Sequence, residues 1–241
     1  KLAGRAVGST AHALQGEDRA RRSAPPVVRR IARADLWEAL RRGLDDFSAY
    51  RTDVIFLCLI YPVVGLLLAW IAFDYSMLPL IFPLASGFAL LGPISAIGLY
   101  EMSRRREQGL EIGWGDAFGV VRSPAFGAML VLLIVVFLLW LAAAYGIFAA
   151  TLGPAPPASL AAFTGDLFGT AAGWTMIVAG VGVGFLFALV VLTVSVMSFP
   201  LLLDRDIGLF AAIGLSIRTV AANPGPMALW GMIVAIGLVL G

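Results

Sequence analysis

The chain has 241 residues, of which 60% are hydrophobic and 13% charged, with a formal net charge of +2. A water-soluble domain carries about a quarter charged residues, so this composition describes an all-α integral membrane protein, with room for five or six spans of about 20 residues. A single cysteine, Cys58, and a single histidine, His12, exclude an intrachain disulfide and leave no His/Cys set for haem, copper, zinc or an iron–sulfur cluster. No cofactor and no metal are expected.

Residues 1–33 are polar and carry Lys1 and seven arginines against Glu17 and Asp18, eight positive charges to two negative. No apolar core follows closely enough to make a cleavable signal peptide. The stretch reads as a basic arm, disordered beside anionic headgroups or ordered on a partner. Residues 34–241 form the transmembrane domain.

Asp35 opens an amphipathic helix in which Leu36, Leu40, Leu44 and Phe47 share a stripe with Trp37 beside it. Glu38, Arg41, Arg42, Asp45 and Asp46 supply its wet face, as in a helix lying in the membrane interface. A first span follows over 54–73, then a short turn at Asp74, then a second span over 77–100 with kinks expected near Pro83 and Pro93. The loop 101–109 is the most basic short loop of the chain. Trp114, Ala117, Phe118 and Val121 predict a second, shorter interfacial helix ending at Pro124.

A third span is predicted over 126–150, and a Pro/Ala/Gly-rich connection runs to residue 172, with a short surface helix over 160–167. The fourth span, 174–203, places Gly180 and Gly184 one turn apart, a small-residue face that packs within the molecule or serves as a homodimer seam. Asp206 is the expected N-cap of a third interfacial helix, with Leu209, Phe210, Ile213, Ile217 and Val220 as its apolar stripe and Ser216, Arg218 and Thr219 on other faces. Asn223-Pro224 breaks it, and a fifth span starts near Pro226.

All 17 basic residues fall on one side of this arrangement: the arm to Arg51, Arg104 to Arg122, and Arg205 with Arg218. By the positive-inside rule that side, with the N-terminus, is cytoplasmic. The placement at span ends also argues against a nucleic-acid partner and for lipid headgroups. Each outward span is preceded by an interfacial helix, so the chain reads as three parallel hairpins over 34–100, 113–203 and an incomplete 206–241. A sixth, returning span is expected beyond Gly241.

Catalysis or ion coupling inside a bilayer needs ionisable groups at depth, and the predicted spans hold none, so an enzyme is not expected. Glu101 and Asp204 end the second and fourth spans at equivalent places in the repeat. An acid there opposes the helix dipole unless a cation is near, which predicts a cytoplasmic ion-pair cluster of Glu101, Arg104, Arg105, Arg106, Asp204, Arg205 and Arg218. The cluster is a structural clasp, with recognition of a lipid phosphate or partner as the alternative. The six tryptophans, Trp140 among them, are expected at interfaces or span ends.

The segments GPISAIGLYEMSRRREQG (92–109) and SFPLLLDRDIGLFAAIGLSIRTVAANPGPMALWG (198–231) resemble a family of uncharacterised bacterial integral membrane proteins, some of which have been named cytochrome c oxidase subunits. The resemblance implies a six-span inner-membrane protein. Joined to the lack of redox ligands, it points to an accessory, assembly or scaffolding subunit of a larger respiratory or other electron-transfer complex. The alternative is a channel or carrier for a neutral or lipidic solute.

Overall fold

A computed structural model describes residues 26–49, 63, 65, 66, 70, 75–90, 97–110, 124–205 and 207–240, and their regular structure is wholly helical. Helix α1 spans Arg33–Ala49. A 3₁₀ stretch, Tyr75–Leu80, leads into α2, Ile81–Leu90, and α3 covers Ile97–Glu107. Then come α4 (Pro124–Thr151), α5 (Leu160–Gly169), α6 (Ala171–Ser195), α7 (Ser198–Asp204), α8 (Leu209–Ala222) and α9 (Pro224–Leu240). Most of the first expected span, and all of the second interfacial helix, lie outside the described residues.

Two helical runs are long and apolar enough to cross a bilayer: α4, and α6 continued by α7 as Ala171–Asp204. At 28 residues α4 is about 42 Å long, more than the roughly 30 Å hydrocarbon core requires. These two runs sit where the third and fourth spans are expected. Helices α8 and α9 also pass that test together, but they meet at 105° across Asn223. Asn223 is the C-cap of α8 with φ −134°, ψ 52°, and Pro224 and Pro226 follow in the first turn of α9, where a missing N–H loses no helical partner.

The irregularity expected near Pro83 lies just ahead of it, in the 3₁₀ stretch that contains Pro79, and Pro83 itself falls in the first turn of α2. Pro93 is outside the described residues.

The principal core is formed where α4, α6, α7 and α8 meet. Phe126, Met129, Leu133, Val191 and Phe199 are buried there, with Leu209 and Ile213 packed against them. The rings of Phe126 and Phe199 meet edge to face at 5.4 Å. A second packing centre forms around Trp140, near the middle of α4. Gly87 of α2 faces it: a Cβ added there would stand 2.8 Å from the indole and 2.5 Å from Phe137. Gly184 of α6 lies against the opposite side, its would-be Cβ 3.0 Å from the indole, and Phe187 tilts against the ring at 5.6 Å. The indole N–H donates to the Pro83 carbonyl at 2.9 Å. Trp140 is therefore a buried post, only 2% exposed, and not the interfacial residue its type predicts. An indole so far inside a membrane helix needs an acceptor, and α2 supplies one.

The corner from α5 to α6 is a single residue, Thr170, at once C-cap of one helix and N-cap of the next. Its hydroxyl donates to Asp166 O (2.7 Å) and accepts from the Gly173 N–H (2.9 Å), while the Trp174 indole N–H donates to Phe168 O (3.1 Å). The orphan carbonyls of α5 thus find side-chain donors. Gly173 is required by this turn, because a Cβ would lie 2.2 Å from Leu167 O and 2.3 Å from Asp166 O.

Candidate functional site

The described buried polar side chains, Glu101, Ser195, Ser198, Ser216, Thr219 and Asn223, lie on α3, α6, α7, α8 and the α8 C-cap, at or near the arginine-rich end of the bundle. Their arrangement starts with Glu101. Its carboxylate is 2% exposed and accepts from Arg104 Nε and Nη2, both at 2.8 Å, and from Arg105 Nε at 2.9 Å. Residues three and four ahead on the same helix come round to the same face, so α3 builds this fork alone. Burial pushes the Glu101 carboxyl upward, but the hydrogen bonds and charges of Arg104 and Arg105 outweigh it and hold it below its ordinary value. The Arg104 guanidinium is raised in return, chiefly by its hydrogen bond to Glu101 and in smaller part by the charges of Glu101 and Asp204.

Helix α3 stops soon after these arginines. Gly109 takes the left-handed conformation, φ +67°, so that Leu110 N–H bonds Arg105 O (3.0 Å) and Gly109 N–H bonds Arg106 O (3.0 Å), a Schellman ending. The remaining arginine, Arg106, pairs with Asp46 of α1, and the Ser103 hydroxyl donates to the same carboxylate. Asp46, which its sequence position placed on a solvated face, instead ties α1 to α3 across nearly sixty residues of chain.

The other end of α1 is held by Asn223. Its side-chain oxygen accepts from Ile31 N–H at 2.7 Å, and its amide donates to Arg29 O at 3.0 Å and to Thr219 O at 2.9 Å. A primary amide presents a donor and an acceptor side by side, as a neighbouring peptide would, so Asn223 grips the extended segment ahead of α1 at two points. Asp35 then accepts from Ala32 N–H (2.8 Å) and closes the first turn. Residues 26–32 are therefore seated on the bundle, and residues 1–25 lie outside the described residues.

Ser216 repairs the break in the long span. Between α6 and α7 the helix is interrupted at Val196 and Met197. The Ser216 hydroxyl donates to Thr193 O at 2.7 Å and accepts from Met197 N–H at 3.2 Å, so that both sides of the hitch have a partner from α8. Ser195 and Ser198 turn their hydroxyls back to Val191 O and Val194 O. Among the described residues no buried side-chain polar atom lacks a partner.

The predicted cluster is thus partly assembled. Glu101, Arg104, Arg105 and Arg106 stand together, and Asp204 acts on Arg104 through its charge. Asp204 itself is largely exposed and pairs with the neighbouring Arg205 at 3.2 Å. Arg218 is exposed on α8, and no ion pair among the described residues joins it to the cluster. The apolar stripe of α8 divides between the core and the outer surface. Leu209 and Ile213 face the core, Phe210 is 88% exposed with Ile217 also outward, and Ala212, Leu215, Ser216 and Thr219 are buried. Small and hydroxylic side chains let α8 lie close to the broken span and serve its backbone, which bulky ones could not. Asp206 lies outside the described residues, and the N-cap of α8 is Gly208, two positions later. Gly184 meets Trp140 within the molecule, and Gly180 lines an apolar cleft.

Asn223, Ser216 and Asp46 were not legible as site residues from type alone. For two of them a signal exists: Ala212, Ser216, Thr219 and Asn223 recur at steps of four, three and four, a small polar stripe on one helix of a membrane chain.

Helices able to cross a bilayer, with buried polar groups gathered mainly at one end and tied to one another or to backbone, define an integral membrane protein. Sequence comparison supplies its family. The family described as "Predicted integral membrane protein (DUF2189)" matches residues 81–204, and the chain belongs to it. The match contains the whole of 92–109 but only the first residues of 198–231, and it carries no oxidase designation. No curated protein and no solved structure matches the chain.

Proposed function

We propose that the protein is a non-catalytic subunit of the bacterial inner membrane that packs against, or helps assemble, a larger membrane complex. The observation that carries this reading is the disposition of the polar groups. The described buried ones hold helix breaks, helix ends and the α1 segment in place, through partners in the same chain. Meanwhile α4, α6 and α9 keep broad apolar faces outward, among them Val135, Phe185, Val190 and Ile236, suited to neighbouring helices as well as to lipid.

In this reading the arginine-rich end faces the cytoplasm, as the positive-inside rule requires. Five spans form three hairpins related by an axis along the membrane normal, each led by an interfacial helix. The crosswise meeting of α8 with α9 at 105° supports the last of these units. Segment 26–32, seated by Asn223, carries the basic arm out at that face as a partner contact. A respiratory oxidase or a related electron-transfer assembly is the partner class to which the sequence resemblance points.

The test is purification of the tagged protein from its native membrane in mild detergent, with subunits identified by mass spectrometry and haem by absorption. Stoichiometric recovery of a redox complex is expected. Recovery of the protein alone would defeat this reading and make solute flux in liposomes the next measurement.

A further inference from the structure

We propose that the apolar cleft at the end of the bundle away from the arginine cluster holds one acyl chain of a membrane phospholipid. The cleft has a volume of about 390 Å³ and lies between α2 with its 3₁₀ stretch, α4, α5 and α6. Phe82, Trp140, Ala144, Phe163, Phe168 and Gly180 are on its walls. Its size falls in the range of small-ligand pockets, about 300–1,000 Å³. The inference stands whichever assembly the protein joins.

Three observations select the occupant. First, the polar hydrogens on the wall are already directed elsewhere: the Trp140 indole N–H to Pro83 O, and the Thr164 hydroxyl to Leu160 O and Ala161 O. A buried water needs two to four polar partners, so the space suits hydrocarbon and not water or a polar solute. Second, the described walls are aliphatic and aromatic, Leu78, Ile81, Ile147, Leu167 and Val181 among them, and hold no charged side chain, so a headgroup finds no partner inside and only hydrocarbon gains by entering. Third, α5 forms one wall of the cleft yet has no buried residue, and it leads straight into the second long run. A chain inserted beside it leaves its headgroup at the level of that surface helix, next to water.

Gly180 provides the means of testing this. It lines the cleft, yet a Cβ built on it meets nothing within 4 Å, so the backbone accepts a side chain that projects into open space. Gly182, on the same helix, is equally open but does not line the cleft. The full chain is placed in phosphatidylcholine vesicles containing a trace of phospholipid with a diazirine on its acyl chain, photolysed, and mapped by mass spectrometry. In the wild-type protein, labelling at the half-buried Phe163 and Ile177 is expected to exceed that at the outward-facing Val190 and Phe185. Gly180→Leu should lower it about tenfold, equivalent to about 1.4 kcal/mol of affinity, and Gly182→Leu should leave it unchanged.

Equal labelling of Gly180→Leu and wild type would overturn the proposal. So would wild-type cleft residues labelled no more than Val190, a comparison that decides the matter even if the leucine variant fails to fold. Cleft residues free of label, together with dimers trapped by a photoreactive amino acid placed at position 168, would assign the space to a second copy and refute the lipid.

Discussion

The two ends of the bundle solve the same problem by opposite means. At the arginine-rich end the chain is irregular: α6 breaks into α7, α8 turns through 105° into α9, and an extended segment leads into α1. Each irregularity leaves backbone groups or charges that a low-dielectric interior would penalise, and each is met by a named side chain, namely Ser216 at the break, Asn223 at the turn and Arg104 with Arg105 on Glu101. At the far end, two helices join through Thr170 alone, and most of the walls are aromatic and aliphatic. Polar side chains in this molecule mark where the helices are interrupted, and the open space lies where the walls are apolar. A buried polar residue in a membrane chain is usually a functional-site hypothesis; here the partners of each one account for its presence.

The comparison can be broken most severely at the apolar end. Gly173→Ala sets a methyl 2.2 Å from a backbone carbonyl oxygen that cannot move without reopening the α5–α6 corner. A loss of about 3 kcal/mol or more is expected, read as a large fall in the thermal midpoint of the detergent-solubilised protein. A normal midpoint would show that the corner is not as tight as described.

At the polar end, Glu101→Gln should cost about 2–3 kcal/mol, since it removes a charged acceptor from two guanidinium groups in a buried place. The sign with pH follows from the lowered carboxyl. A folded value below the unfolded one means that the clasp contributes fully above the ordinary carboxylate value of 4.5 and is lost as pH falls through the lower, folded one. Wild type should lose stability only at pH below the usual carboxylate range, and the glutamine variant should lack that step. An identical acid titration in both proteins would remove Glu101 from the clasp. Arg218→Ala is the matched surface change, expected within about 0.5 kcal/mol of wild type.

Asn223→Ala is smaller in stability, about 1–3 kcal/mol, but specific in its readout. It frees Ile31 N–H and Arg29 O, so trypsin should cut after Arg29 and Arg30 about tenfold faster, as a loss of about 1.4 kcal/mol of local protection implies. Unchanged cleavage there, with faster cleavage elsewhere, would mean that Asn223 supports only the α8 terminus.

Much of the fold was legible in one dimension because a bilayer imposes length and composition on whatever crosses it. The third and fourth spans, the surface helix near residue 160 and the helices beginning near residues 33 and 209 all follow from apolar runs, period and breakers. So does the Glu101 fork, which is local and fixed by helical spacing. Side-chain partners distant in sequence were not legible. Asp46 and Arg106, Asn223 and Ile31, and Trp140 with Gly87 and Gly184 are pairs whose members look ordinary separately. The division of the stripe on α8 was not legible for a related reason. In water, bulk apolar residues turn inward, but a membrane offers no such drive, so Phe210 and Ile217 face outward and small residues make the contact.

The sequence by itself determined that this is a helical membrane protein with its arginines gathered at one end, because span length and charge placement are properties of the chain alone. Only the tertiary structure decided which polar residues meet, that Trp140 is a central post and not an interfacial anchor, and that an apolar cleft is walled by α5. Those depend on which faces of separate helices come together, and helical period alone does not choose a partner.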